Sequence, residues 1–155
     1  MAIDRELILE FFLTVSRIEY ALKNAGYFER ARHGGAQPDW NRFAREIAPQ
    51  FEIDAYDELQ QACLYYITQP PDEQVVRDGR VVWSAAPPRK DTEFERILFL
   101  VKRVRNNLFH GGKSNPQGSE EANRNTLLIQ FGLVILNEAL RLNPEVRRVC
   151  EQAAF

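Results

Sequence analysis

Sulfur and imidazole are scarce in this chain. Among 155 residues there are two cysteines, one methionine and two histidines. Cys63 and Cys150 stand far apart, without the CxxC spacing of a zinc ribbon or redox pair. They read as two reduced thiols of a cytoplasmic protein. Two histidines and two scattered cysteines make no zinc site, so no metal is expected. The complete phosphate-loop pattern GxxxxGK[ST] is absent, as are GxGxxG and GxSxG, and no cofactor is expected. Charge of one sign is not in excess either. Twenty Lys and Arg face 22 Asp and Glu, a net charge of −2. A protein that tracks long nucleic acid non-specifically is usually basic. Any nucleic-acid contact should therefore be a local basic pocket on a neutral body. The longest apolar tract, residues 126–136, is too short for a bilayer and is broken by Gln130, so no membrane is expected. The opening MAIDRELILEFF has no basic leader and cleavage site, and no signal peptide is expected.

What is present is apolar patterning. Hydrophobic residues make up 45% and charged residues 27%. This composition predicts one soluble globular domain over residues 1–155 with a proper core. The periodicity predicts an all-α chain, an antiparallel bundle of about five to six helices with a small inserted β-hairpin. The first helix should span residues 4–25, from Asp4 as cap to Gly26 as stop. Ile8, Phe12, Val15, Glu19 and Leu22 share one stripe, which puts a carboxylate on an apolar face. Residues 26–38 read as a loop containing His33. A second helix opens at Pro38-Asp39, with Trp40 and Phe43 inward, and runs to about Pro49. A third covers residues 56–68. Between about 70 and 90, Gln74-Val75-Val76 and Val81-Val82-Trp83 flank an Asp78-Gly79 turn, a hairpin signal. A hairpin alone is marginal, so this one must rest on the helices or on a partner.

The fourth helix, residues 91–110, carries Phe94, Leu98, Val101, Arg105 and Leu108 on one stripe. Arg105 thus faces the core, as Glu19 does. A charge so placed is costly unless paired, and the simplest resolution is that Glu19 holds Arg105. Arg103, Asn106 and His110 share another stripe with Phe99, which we read as free to meet a second subunit. Arg105 and His110 lie about 140° apart around an ideal helix. The helix ends in VKRVRNNLFHGGK, residues 101–113, which holds Lys102, Arg103, Arg105, His110 and Lys113 and no acid. Residues 114–118 should turn. The fifth helix, about 119–142, is apolar on two sides. Arg124, Leu128, Phe131, Ile135 and Leu142 form one stripe, and Ile129, Leu133, Leu136 and Leu140 the other. It is therefore the centre of the bundle or is shared with another protein. A short last helix should cover 144–152.

The stretch Arg105-Asn106-Asn107-Leu108-Phe109-His110 resembles the HEPN superfamily. The signature of that family is an arginine, usually followed by a polar residue, and then a histidine after four to six intervening residues. Arg105 to His110 fits with four intervening residues and Arg103 to His110 with six. The polar neighbour Asn106 favours Arg105, and the helical face favours Arg103. The long first helix carrying Glu19 and the apolar helix after the motif fit the same layout.

The resemblance implies a homodimer that brings two motifs together. It implies a metal-independent endoribonuclease, toxin-like and paired with an antitoxin or nucleotidyltransferase, or a non-catalytic relative that binds RNA, nucleotides or proteins. On the catalytic reading, His110 is the base or acid. Arg105 clamps the phosphate and stabilises the developing charge. Asn106 orients His110 or the phosphate, and Glu19 orients Arg105. Lys102, Arg103 and Lys113 would meet RNA phosphates.

Overall fold

The computed structural model describes residues 3–110 and 119–155, with side chains from 122 onward in the second span. The described residues form six α-helices and two antiparallel strand pairs. Helix α1 (Arg5–Asn24) starts where the Asp4 carboxylate accepts the Glu6 amide, and ends before Gly26, whose φ of +92° turns the chain. Its buried stripe is Phe11, Val15, Ile18 and Leu22. That centre lies one residue round from the expected one, and it leaves Ile8, Phe12 and Glu19 half-buried at the edge.

Residues 26–38 are not a plain loop. Strands β1 (Phe28–Arg30) and β2 (Ala36–Pro38) pair antiparallel, with Phe28 opposite Pro38. Three-residue strands, almost wholly exposed, carry no apolar alternation, so there is no periodicity by which to find them. Helix α2 (Trp40–Ile47) is capped by Asp39 and buries Trp40 and Phe43. A 3₁₀ turn (Ala48–Gln50) follows it. Helix α3 (Asp57–Thr68) buries Leu59, Ala62, Cys63 and Tyr66.

Strands β3 (Glu73–Arg77) and β4 (Arg80–Ser84) form the expected hairpin, with Arg77 opposite Arg80. Asp78 and Gly79 close it with φ of 51° and 72°, the positive angles of a two-residue hairpin turn. Helix α4 (Glu93–Phe109) begins with a reciprocal cap. Thr92 accepts the Glu95 amide while the Glu95 carboxylate accepts the Thr92 amide.

Helix α5 (Ser119–Leu142) is the centre of the molecule. It packs on α1, α3, α4 and the last helix, α6 (Pro144–Glu151). Both of its stripes are inside. Leu128, Ile129, Ile135 and Leu136 are buried, and Phe131, Leu133 and Leu140 are half-buried against the core. Leu136 is wholly buried and Leu133 half-buried against the core, so this face packs within the chain and leaves little area for a second subunit. No described helix is long and apolar enough to cross a membrane.

Candidate functional site

The last three turns of α4 carry the candidate residues, and the helices around them divide those residues into two sets. The first set meets α1. Arg105 Nη1 donates to Glu19 Oε1 at 3.1 Å, so the two charges that the sequence put on apolar stripes do answer one another. Glu19 Oε2 accepts from Trp40 Nε1 at 2.9 Å, which ties α2 into the same cluster. Among the described residues Glu19 is the one hydrogen-bond partner of the Arg105 guanidinium. Its Nε is buried without any. Lys102 sits with its ammonium 5.5 Å from the centre of the Trp40 ring. Burial lowers the Lys102 pKa, against the opposing pull of Glu19. Three helices thus converge on one carboxylate, with two cations beside it.

The second set supports the hairpin, and this corrects two expectations. Arg103 is not free for a phosphate. It is 8% exposed, and its guanidinium donates to Pro71 O at 3.4 Å and Ala86 O at 3.5 Å and pairs with Glu73 at 3.4 Å. Nor is the Arg103 part of its stripe open to a second subunit, because the hairpin base lies on it, whereas Asn106 and His110 further along the stripe are exposed. Asn107 Nδ2 donates to Asp72 O at 2.8 Å, and Arg124 Nη2 to Pro70 O at 2.6 Å. Three consecutive carbonyls, those of Pro70, Pro71 and Asp72, are therefore held by α4 and α5. The hairpin rests on helices, as a two-stranded unit must.

What is left on the surface is the very end of α4. Asn106 and His110 are exposed. The His110 amide closes the helix on Asn106 O at 3.0 Å. Its ring stands perpendicular to that of Phe109, with centroids 5.3 Å apart. Phe109 is 73% exposed and meets Phe12 of α1 edge to face at 6.4 Å. No hydrogen bond joins His110 to Arg105 among the described residues. They share one end of one helix, on different sides of it. Lys113 and the glycine pair before it lie outside the described residues.

Sequence reasoning passed over Glu138. It is 3% exposed on α5, bound by Arg141 at 2.5 and 2.8 Å and by the Tyr56 hydroxyl. It lines a cavity of about 550 Å³ with Tyr56, Arg141 and Cys150. An acid between Leu136 and Leu140 was the available signal. A second depression, about 780 Å³, is lined by Pro87, Pro88, Arg89, Lys90 and Arg96. Arg105 and His110 line neither of them. Among the described residues no three His, Cys, Asp or Glu side chains gather where they could hold a metal ion. Compared with family models, with curated proteins and with solved structures, the chain gives no match.

Proposed function

We propose that the chain is a HEPN-type, metal-independent endoribonuclease, with His110 and Arg105 as its catalytic pair. The observation that carries this reading is the Glu19–Arg105 pair at 3.1 Å, one helical turn before the exposed His110. An arginine held by a carboxylate is pre-oriented, and a guanidinium so fixed loses little freedom when it meets a phosphate. His110 takes the proton of the 2′-hydroxyl, and the 2′ oxygen attacks phosphorus. Arg105 stabilises the charge that develops on the phosphoryl oxygens. The bond from phosphorus to the 5′ oxygen breaks, and that oxygen is protonated by solvent or by the imidazolium of a second copy. The products are a 2′,3′-cyclic phosphate and a 5′-hydroxyl. Asn106 is exposed on the same turn and orients the phosphate. Lys102 supplies a nearby cation. In a homodimer the twofold contact would lie beside the His110 end, since α5 is covered.

The test is incubation of single-stranded RNA with the protein in EDTA, followed by end-group analysis. Cyclic phosphate ends that disappear with His110→Ala, and with a single deoxynucleotide at the cut, are expected. Cleavage that needs added Mg²⁺, or that survives His110→Ala, overturns the reading. Mixing His110→Ala with Arg105→Ala subunits tests for a composite site, which should regain part of the activity. A neighbouring gene for an antitoxin or nucleotidyltransferase would support the toxin-like form.

A second reading has its own support. Glu19 answers Arg105, the hairpin base answers Arg103, and among the described residues no hydrogen bond orients the His110 ring. A module that binds RNA or nucleotides without cutting them needs no more than this. It predicts saturable binding and an intact ligand.

A further inference from the structure

We infer that Phe109 is a base-stacking platform, and that the ligand of this helix end is single-stranded RNA. The inference rests on the RNA reading of the site and adds the residue that would hold the base. Phe109 is 73% exposed, although it is a large apolar side chain in the last turn of a well-packed helix. Its ring is not loose. Phe12 meets it at 82° and 6.4 Å, and His110 at 89° and 5.3 Å. It is thus fixed from two sides and still open to solvent.

Its position along the seam between α1 and α4 gives the fixed ring a use. Arg105 lies four residues earlier and Phe12 seven residues before Glu19, so each pair shares a helix face. The seam therefore presents an ion pair, Glu19–Arg105, and one turn further on an aromatic pair, Phe12–Phe109, with His110 at its tip. Cation, aromatic ring and imidazole thus follow one another over the last turn and a half of α4, and they match the three parts of a nucleotide.

Two occupants compete for an exposed apolar ring. A second copy of the chain would need about 800 Å² per partner. Leu9, Phe12 and Phe109 offer much less, at about 200 Å² for each aromatic side chain. So small an area cannot hold a dimer by itself, and a homodimer contact at this end would lie beside the ring rather than on it. Single-stranded RNA suits both the ring and the cations. Any base has a π-face for the ring, and its phosphates face Arg105 and Lys102. Duplex RNA does not, because its bases are already stacked inside.

The experiment is fluorescence anisotropy with a 2′-O-methyl oligoribonucleotide of about twelve residues, which cannot be cut through its 2′ oxygen. Phe109→Ala should weaken binding about tenfold, and Phe109→Leu should weaken it nearly as much, because leucine keeps apolar area without a π-face. Phe109→Trp should keep the affinity, and its added emission should be quenched when the oligonucleotide binds. Melting curves should show all three variants folded, since the ring is exposed. Unchanged affinity in Phe109→Ala overturns the inference. So does full retention by Phe109→Leu, and so does a loss of self-association in Phe109→Ala without a loss of RNA affinity. Tight binding that depends on Phe109, together with RNA that is never cleaved, keeps the platform and removes only the ribonuclease reading.

Discussion

Arg105 Nη1 stands 3.1 Å from Glu19 Oε1 and joins α4 to α1 across 86 residues of chain. The two side chains are 26% and 21% exposed, so water screens the pair only in part. Removing the arginine leaves the carboxylate with Trp40 Nε1 as its one hydrogen-bond donor among the described residues and Lys102 as its remaining neighbouring cation. Arg105→Ala should therefore cost about 2 kcal/mol, or about 6 °C in melting temperature. Glu19→Gln should also cost stability, since its one amide oxygen can accept from Arg105 only by turning the NH2 donor toward Trp40 Nε1. The double variant should cost less than the two single changes added together. A melting temperature for Arg105→Ala equal to that of the parent would discard the structural role of the pair.

Alkaline pH gives an independent check on the core. Burial pushes the Cys63 thiol from 9.0 up to about 12, with the Glu138 charge acting in the same direction. Burial raises Cys150 as well, and it raises Tyr66 well above 10.0. In each case the folded protein keeps a proton that the unfolded chain has already lost. Stability should then fall as pH rises from about 9 toward 12. Lys102 works the other way. Its folded pKa is lowered from 10.5, so the unfolded chain holds the extra proton and folding gains as pH rises toward 10.5. Burial raises Tyr27 and Tyr56 as well, so five raised groups outweigh one lowered group. Urea midpoints should drop between about pH 9 and 11, and Cys63→Ala should flatten the first part of that drop. An unaltered slope in Cys63→Ala would contradict the assignment.

The helices were legible because their periodicity is long and their stops are chemical. Asp4, Asp39 and Gly26 mark ends that the structure keeps. The Glu19–Arg105 pair was legible because two charges on two apolar stripes have few ways to be satisfied. Arg103 was not. Its helical face looked solvent-free of duties, since the carbonyls that occupy it belong to Pro71 and Ala86, which carry no side-chain signal. Strands β1 and β2 were hidden by their length. The coverage of α5 by its neighbours depends on how four helices pack, which no single stripe reveals. Phe109 was hidden in the opposite sense. A phenylalanine at the end of an apolar helix reads as core, and only its exposure in the fold shows otherwise.

Gly132 tests how tightly α5 is seated. A methyl group there would lie 2.9 Å from Tyr66 Oη, 3.2 Å from a Phe11 ring carbon and 3.4 Å from a Val101 methyl. Tyr66 cannot swing aside, because it is wholly buried and its hydroxyl donates to Leu128 O at 2.6 Å. Alanine gains about 1 kcal/mol of helix propensity over glycine. Overpacking costs about 1–3 kcal/mol, so the net effect of Gly132→Ala should be destabilising. Removing the Tyr66 hydroxyl should relieve part of that cost, so the double change Tyr66→Phe with Gly132→Ala should fall short of additivity. A Gly132→Ala protein that melts higher than its parent would show that α5 has room to shift.

Arg103 and Arg105 stand two residues apart, and the choice of working arginine can be made by experiment. Arg103 is 8% exposed and bonds to carbonyls at both ends of the hairpin, those of Pro71 and Ala86. Its partner Glu73 opens strand β3. Truncation should therefore loosen the hairpin base first. Arg103→Ala should cost about 2 kcal/mol, because it leaves buried carbonyls without a donor. Amide exchange should speed up in β3 and β4 before it changes in α5, whose core contacts the arginine does not supply. The effect on RNA should differ in kind. A phosphate contact shows in the salt dependence, and losing one lowers the slope of log affinity against log salt by about 0.7 for a single strand. Arg105→Ala should lower that slope, and Arg103→Ala should leave it unchanged even if affinity falls slightly. The reverse pattern would move the catalytic role to Arg103 and leave Arg105 as a strut between α1 and α4.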